Sequence, residues 1–197
     1  MKRHTLWRSV NCAKLLPRDL IIDNDRMLKL KYALRMSPIH EALAALQNNN
    51  VTYVLVGGLA VVLHGHPRLT ADADIVLDLS EGNTTRAIES LLSVGYVSRL
   101  PVPAREFADA KKRETWITEK GMKVFSLFYK ANPIYGVDLF AEYPVDFEGM
   151  LSRSVVKSLG QLSVRVAAID DIIVMKEKAG RPLDLDDVKA LKVIRDG

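Results

Sequence analysis

A chain of 197 residues with 48% hydrophobic, 26% charged and 7% aromatic residues has the composition of a globular protein, which excludes disordered, collagen-like and coiled-coil classes. Folding at this length buries roughly 70% of the unfolded surface, so no disulfide or metal staple is required, and the single cysteine, Cys12, fits a reducing compartment. The net charge of +4 excludes neither nucleic-acid nor protein partners, whereas the lack of any bilayer-length apolar run or secretory-signal core leads to the expectation of a cytoplasmic protein with no membrane partner.

The charge is uneven along the chain. Residues 1–36 hold nine Lys/Arg against three Asp/Glu, while the remaining residues hold nineteen against twenty-one. We therefore read residues 1–36 as a basic N-terminal arm and 37–197 as the folded domain. Such an arm is either a footprint for RNA, DNA or an acidic partner, or a solvated tail.

Within the domain, Ile39, Leu43 and Leu46 follow Pro38 at helical spacing, and the Asn run at 48–50 ends that helix. Val51 to Val56 is nearly continuous in apolar, β-branched residues, the pattern of a strand covered on both faces. It stops at Gly57-Gly58, and the next apolar run reads as a helix closed by Gly65. A second strand is expected over Asp72 to Leu79, and a helix over Asn83 to Ser93 before Gly95. Tyr96 to Val102 reads as a short strand, and residues 103–120, rich in charge with few apolar anchors, read as a surface excursion. Met122 to Tyr129 and Tyr135 to Phe140 read as strands, with Val164 to Ala167 as another short one. Two helices close the chain, Asp170 to Ala179 capped by Gly180 and Leu185 to Arg195, the latter with Asp184 and Asp187 spaced as a capping box. The expected class is a mixed α/β (α+β) domain, one sheet flanked by helices with helices at its C-terminus.

Candidate chemistry concentrates between residues 54 and 78. Asp72 and Asp74 follow Gly58 after thirteen intervening residues. Side chains two apart on a strand share a face about 6 to 7 Å apart, so both carboxylates reach one cation, and hard oxygen donors suit Mg²⁺ or Mn²⁺. A glycine turn opening a helix beside them offers backbone amides for phosphates, the combination expected of a nucleoside-triphosphate site. Asp74 precedes Ile75-Val76-Leu77, where an unpaired buried charge is costly, which favours a ligand role over chance. Asp138 stands in the apolar stretch Gly-Val-Asp-Leu-Phe, either as a third carboxylate or as half of a salt bridge. His64 and His66 are a poor zinc pair without nearby ligands, and Arg68 is a surface arginine or a phosphate contact. Neither a P-loop nor a dinucleotide-binding glycine motif is present.

The strand, Gly-Gly turn, spacer and Asp-x-Asp strand resemble the nucleotidyltransferases of the DNA polymerase β superfamily. MKEKAGRPLDLDDVKAL at the C-terminus is similar to the Lys-x-x-x-Gly-Arg-Pro-x-Asp-x-x-Asp pattern of small prokaryotic proteins related to the AbiEii toxins. The resemblance implies that Gly57 and Gly58 form the turn against the nucleotide, and that Asp72, Asp74 and Asp138 are the catalytic and metal-binding carboxylates. It further implies that Lys176 and Arg181 approach the triphosphate or acceptor, with Asp184 and Asp187 organising their turn. Gly58 departs from the serine that many relatives carry. The implied activity is Mg²⁺-dependent transfer of a nucleoside monophosphate from an NTP to an acceptor hydroxyl on RNA (a tRNA end) or protein, in a toxin–antitoxin or phage-defence system with a cognate antitoxin. Two other readings remain open at this level: a non-catalytic nucleotide- or RNA-binding module of the same fold, and a small-molecule transferase of the aminoglycoside-modifying type.

Overall fold

The computed structural model describes residues 37–197. The arm at 1–36, and with it the domain boundary drawn there, lies outside the described residues, as does Cys12. The elements are α1 (Pro38–Asn48), β1 (Tyr53–Val56), α2 (Gly57–His64), β2 (Asp72–Leu77), α3 (Glu81–Ser93), β3 (Tyr96–Ser98), a 3-10 turn (Ala104–Ala108), α4 (Ala110–Lys120), β4 (Val124–Tyr129), β5 (Gly136–Phe140), α5 (Phe147–Arg153), β6 (Val155–Leu159), β7 (Leu162–Val166), α6 (Ile169–Ala179) and α7 (Pro182–Asp196). The seven strands form one mixed sheet in the order β3-β4-β5-β2-β1-β7-β6. The mixed α/β architecture matches the class read from the sequence. Among the described residues no helix is long and apolar enough to cross a membrane.

Strand alternation gives the sheet two different faces. Ala73, Ile75 and Leu77 of β2, Val137 and Leu139 of β5, and Phe125 and Leu127 of β4 are all fully buried on one face. Phe125 stacks with Trp116 of α4 at 5.6 Å between ring centroids and meets Phe107 at 5.2 Å. The other face carries Asp72 and Asp74 on β2 and Asp138 on β5. β2 and β5 run parallel with Asp74 opposite Asp138 and Asp72 opposite Gly136, so one register fixes all three carboxylates on the same side.

Several expectations change. Residues 103–120 are ordered structure rather than a surface excursion, because Arg113, buried among them, finds carbonyl partners while most of the other charges stay exposed. The buried Arg113 guanidinium donates to the carbonyls of Phe107, Ala108 and Leu79 at 2.6 to 2.9 Å, which lets Phe107 and Trp116 enter the core. Asp109 caps α4 by accepting from the amides of Lys111 and Lys112. α3 starts at Glu81, not Asn83, since the Asn83 amide is turned inward to bond the backbone of Thr52 and Asp78. α5 and β6 had no sequence expectation; Asp146 caps α5, and Gly160, at φ +67°, turns β6 into β7.

The C-terminal capping box does not form. α7 begins at Pro182 with Arg181 as the N-cap residue, and the carboxylate of Asp184 reaches Lys176 and Arg181 instead. Several strands are also shorter than read: β1 omits Val51 and Thr52, β2 ends at Leu77, β3 at Ser98, and β4 begins at Val124, whereas β7 is longer, running Leu162–Val166 rather than Val164 to Ala167.

Candidate active site

A cleft of about 490 Å³ opens between the carboxylate face of the sheet and the C-terminal helices. Gly57, Gly58, Asp72, Asp74 and Asp138 line one wall, and Lys176, Arg181 and Asp184 line the other. All seven residues assigned to catalysis, metal or nucleotide from the sequence therefore border one cavity.

The strand wall is built around Asp74. Gly57 opens α2 at φ +64°, a conformation that L side chains rarely adopt, and a Cβ there would overlap the Asp74 carboxylate. A glycine is thus required twice, by backbone angle and by the close approach of Asp74. Burial and the neighbouring Asp138 push Asp74 up to about 6, against the backbone hydrogen bond from Gly58 that partly holds it down. Asp72, nearer the rim, is raised by burial and by Asp138, opposed by Arg99 and by the Gly136 backbone. The three carboxylates thus share one face with no salt bridge of their own among the described residues, although Arg99 and Lys176 act on them through space. As they stand, no three acidic, His or Cys side chains among the described residues close around a single point.

The helix wall is the opposite in character. Lys176, at 6% exposure, bonds Asp184 at 2.9 Å and Asp187 at 2.7 Å. Arg68, from the loop after α2, pairs with Asp187, and Arg181 at the rim pairs with Asp184 at 2.6 Å. Burial lifts the Asp184 carboxyl, but the hydrogen bonds from Arg181 and Lys176 outweigh it and hold the group below the usual carboxylate range. Five charges of alternating sign therefore tie α6, α7 and the loop before β2 into one network.

Thr70, Lys123, Glu142 and Lys178 also line the cleft and were not singled out from the sequence. Strand alternation offered a signal for Glu142, four residues beyond Asp138, and for Thr70, two before Asp72; Lys123 carried none. His64 is structural: its Nε2 donates to the Ala167 carbonyl at 2.8 Å, and burial depresses its pKa.

Comparison with known proteins supplies the class. Residues 35–196 match the family described as nucleotidyltransferase of unknown function (DUF6036). The chain belongs to this family. With the family comes the enzyme class, nucleotidyl transfer, in place of a non-catalytic module. Nothing matches among curated proteins. Among solved structures, the lincosamide antibiotic adenylyltransferase LnuA, lincomycin-bound, superposes with a TM-score of 0.51 at 16% identity, covering 88% of this chain and 98% of that one. ANT(2″)-Ia in complex with adenylyl-2″-tobramycin gives 0.51 at 14% identity, covering 80% and 92%. At such identities the likeness shows the fold, and this nucleotidyltransferase shares its fold with both.

Proposed function

We propose that this nucleotidyltransferase moves a nucleoside monophosphate from an NTP to an acceptor hydroxyl with the help of Mg²⁺ or Mn²⁺. The observation that carries this reading is the register of β2 and β5, which sets Asp72, Asp74 and Asp138 on one face of the cleft. The donor set fits a hard divalent cation: three carboxylates on one face, with burial first and the neighbouring Asp138 second pushing Asp74 up to about 6.

Asp72, Asp74 and Asp138 would hold the ion, which when bound neutralises triphosphate charge and makes the acceptor hydroxyl more acidic. The first turn of α2, at Gly57 and Gly58, seats the nucleotide beside Asp74. Arg181, whose side chain is exposed at the cleft rim, reaches the phosphates, while Lys176 acts through the paired network it anchors. Asp138 takes the proton from the acceptor hydroxyl. The acceptor oxygen then attacks the α-phosphorus, the bond from that phosphorus to the bridging oxygen breaks, and pyrophosphate leaves from the opposite side.

For the acceptor, we read an RNA end, such as that of a tRNA, or a protein hydroxyl, in a toxin–antitoxin or phage-defence system of the AbiEii kind with a cognate antitoxin. A second reading, a small-molecule acceptor of the kind named for LnuA and ANT(2″)-Ia, draws support from Glu142, a carboxylate in the cleft beyond the metal-binding three. The test is incubation of the purified protein with Mg²⁺ and each α-labelled NTP, offered in separate arms total RNA, cell lysate protein, lincomycin or tobramycin. Label moving in one arm, and lost with Asp74→Asn, names the acceptor class; no transfer in any arm refutes the proposed reaction.

A further inference from the structure

The loop joining α2 to β2 places two side chains that the carboxylate chemistry leaves unused. Gly58 has no side chain, and the place a Cβ would take is crowded: Cζ of Arg68 stands 3.0 Å from it, Nη2 of Arg68 3.1 Å and Oγ1 of Thr70 3.1 Å. A guanidinium and a hydroxyl are thus delivered onto the first turn of α2, on the side of the cleft where both residues form the lining.

The guanidinium is braced rather than free. Its Nη1 donates to Asp187, which is 1% exposed, and Nε lies 3.5 Å from the Leu69 carbonyl. Nη2, the edge next to Gly58, has no hydrogen-bond partner among the described residues. Asp187 does not depend on Arg68 for its counter-charge, because Lys176 bonds the same oxygen at 2.7 Å. The network as a whole holds three cations, Arg68, Lys176 and Arg181, against two carboxylates, Asp184 and Asp187. Its surplus positive charge faces the anionic strand wall across the cleft. Thr70 Oγ1 donates only a 3.2 Å bond to the Asp72 carbonyl, leaving it able to redirect toward an incoming oxygen.

We propose that Arg68 and Thr70 bind the β- or γ-phosphate of the nucleotide, with Asp187 as the positioning residue that aims the guanidinium. This rests on the nucleotide reading above. Planar guanidinium donors match phosphate oxygens, and a guanidinium already fixed by a buried carboxylate loses little freedom on binding. A contact to the distal phosphates alone distinguishes a triphosphate from a monophosphate.

Equilibrium binding of ATP, GTP, CTP and UTP, and of the monophosphate of the tightest binder, to the full chain in Mg²⁺ tests this. Arg68→Ala is expected to weaken the triphosphate about ten- to hundredfold and the monophosphate no more than about twofold, as for a lost charged hydrogen bond. Arg68→Lys recovers part of the loss, and Thr70→Val costs the triphosphate about threefold to tenfold. Unfolding temperatures of all variants are read alongside; Asp187 keeps Lys176 in each, so the fold is retained. Equal weakening of triphosphate and monophosphate, or no weakening while the wild type binds, overturns the proposal and makes Arg68 a brace for Asp187 alone. Failure of the wild type to bind any of the four triphosphates removes the nucleotide reading itself, and this inference with it.

Discussion

The two walls of the cleft use charge in opposite ways. On the helix wall every buried carboxylate has a cation within about 3 Å: Asp187 takes Lys176 and Arg68, and Asp184 takes Lys176 and Arg181. On the strand wall Asp72, Asp74 and Asp138 stand together with no ion pair of their own among the described residues, and burial, with Asp138 beside it, pushes Asp74 up to about 6. Satisfied charge is what holding helices together requires, whereas unsatisfied charge in a cleft stores free energy that only a ligand releases. In the proposal the strand wall therefore carries the metal and the chemistry, while the helix wall keeps the cleft in shape and lends only its arginines, Arg68 and Arg181, to the phosphates.

That division breaks most visibly under single substitutions. Asp74→Asn is expected to lower nucleotidyl transfer on the order of a thousandfold or more while raising the unfolding temperature of the metal-free protein at neutral pH; a transfer assay and a thermal melt on the same sample read both. Lys176→Ala is expected to do the reverse. It leaves Asp184 and Asp187 with only their arginine partners and costs about 3 kcal/mol of stability by denaturant unfolding, with transfer per folded molecule falling far less than in Asp74→Asn. A Lys176→Ala protein that keeps its stability but loses transfer would move the chemistry to the helix wall.

The comparison is sharpened by pH. Asp74 titrates at about 6 when folded against a usual 3.8, so between those values the folded chain binds more protons than the unfolded one. Stability of the metal-free protein therefore falls as pH rises through that window, by at most roughly 3 kcal/mol. Asp72, also raised, adds to the same slope. Asp74→Asn flattens it, and melts at pH 4, 5, 6 and 7 measure the difference. The smallest expected effect is the exposed pair of Arg105 and Glu89, at 70% and 48% side-chain exposure: Arg105→Ala should leave both transfer and unfolding temperature unmoved, the baseline for reading the others.

Legibility in the sequence follows the same physical line. The strand wall was readable because strand alternation puts Asp72 and Asp74 on one face and the Gly57-Gly58 pair has few other uses; the structure adds that Gly57 makes room for Asp74 itself. The fold class and most of the strands were readable from β-branched runs. The helix wall was half readable: Lys176, Arg181, Asp184 and Asp187 stood out as a motif. Spacing alone suggested a capping box, however, because propensity does not reveal that a buried lysine outcompetes a helix amide for Asp184. Arg68 joins that wall from 119 residues away, a contact no local pattern encodes. The segment 103–120 was misread for a related reason. Asp109 and Gly121 cap α4, and Arg113 is held by the nearby carbonyls of Phe107 and Ala108 and by the distant one of Leu79, a burial that a run of charges does not announce.

Whether the strand wall is the ligand-binding one is tested most directly by thermal unfolding at neutral pH with increasing Mg²⁺, with and without the NTPs, for the wild type and Asp74→Asn. The account predicts a concentration-dependent rise in unfolding temperature for the wild type, larger with nucleotide present, and a flat response for Asp74→Asn. Equal rises in both proteins, or none in either, would contradict the assignment of Asp74 and its two neighbours as the centre of the site.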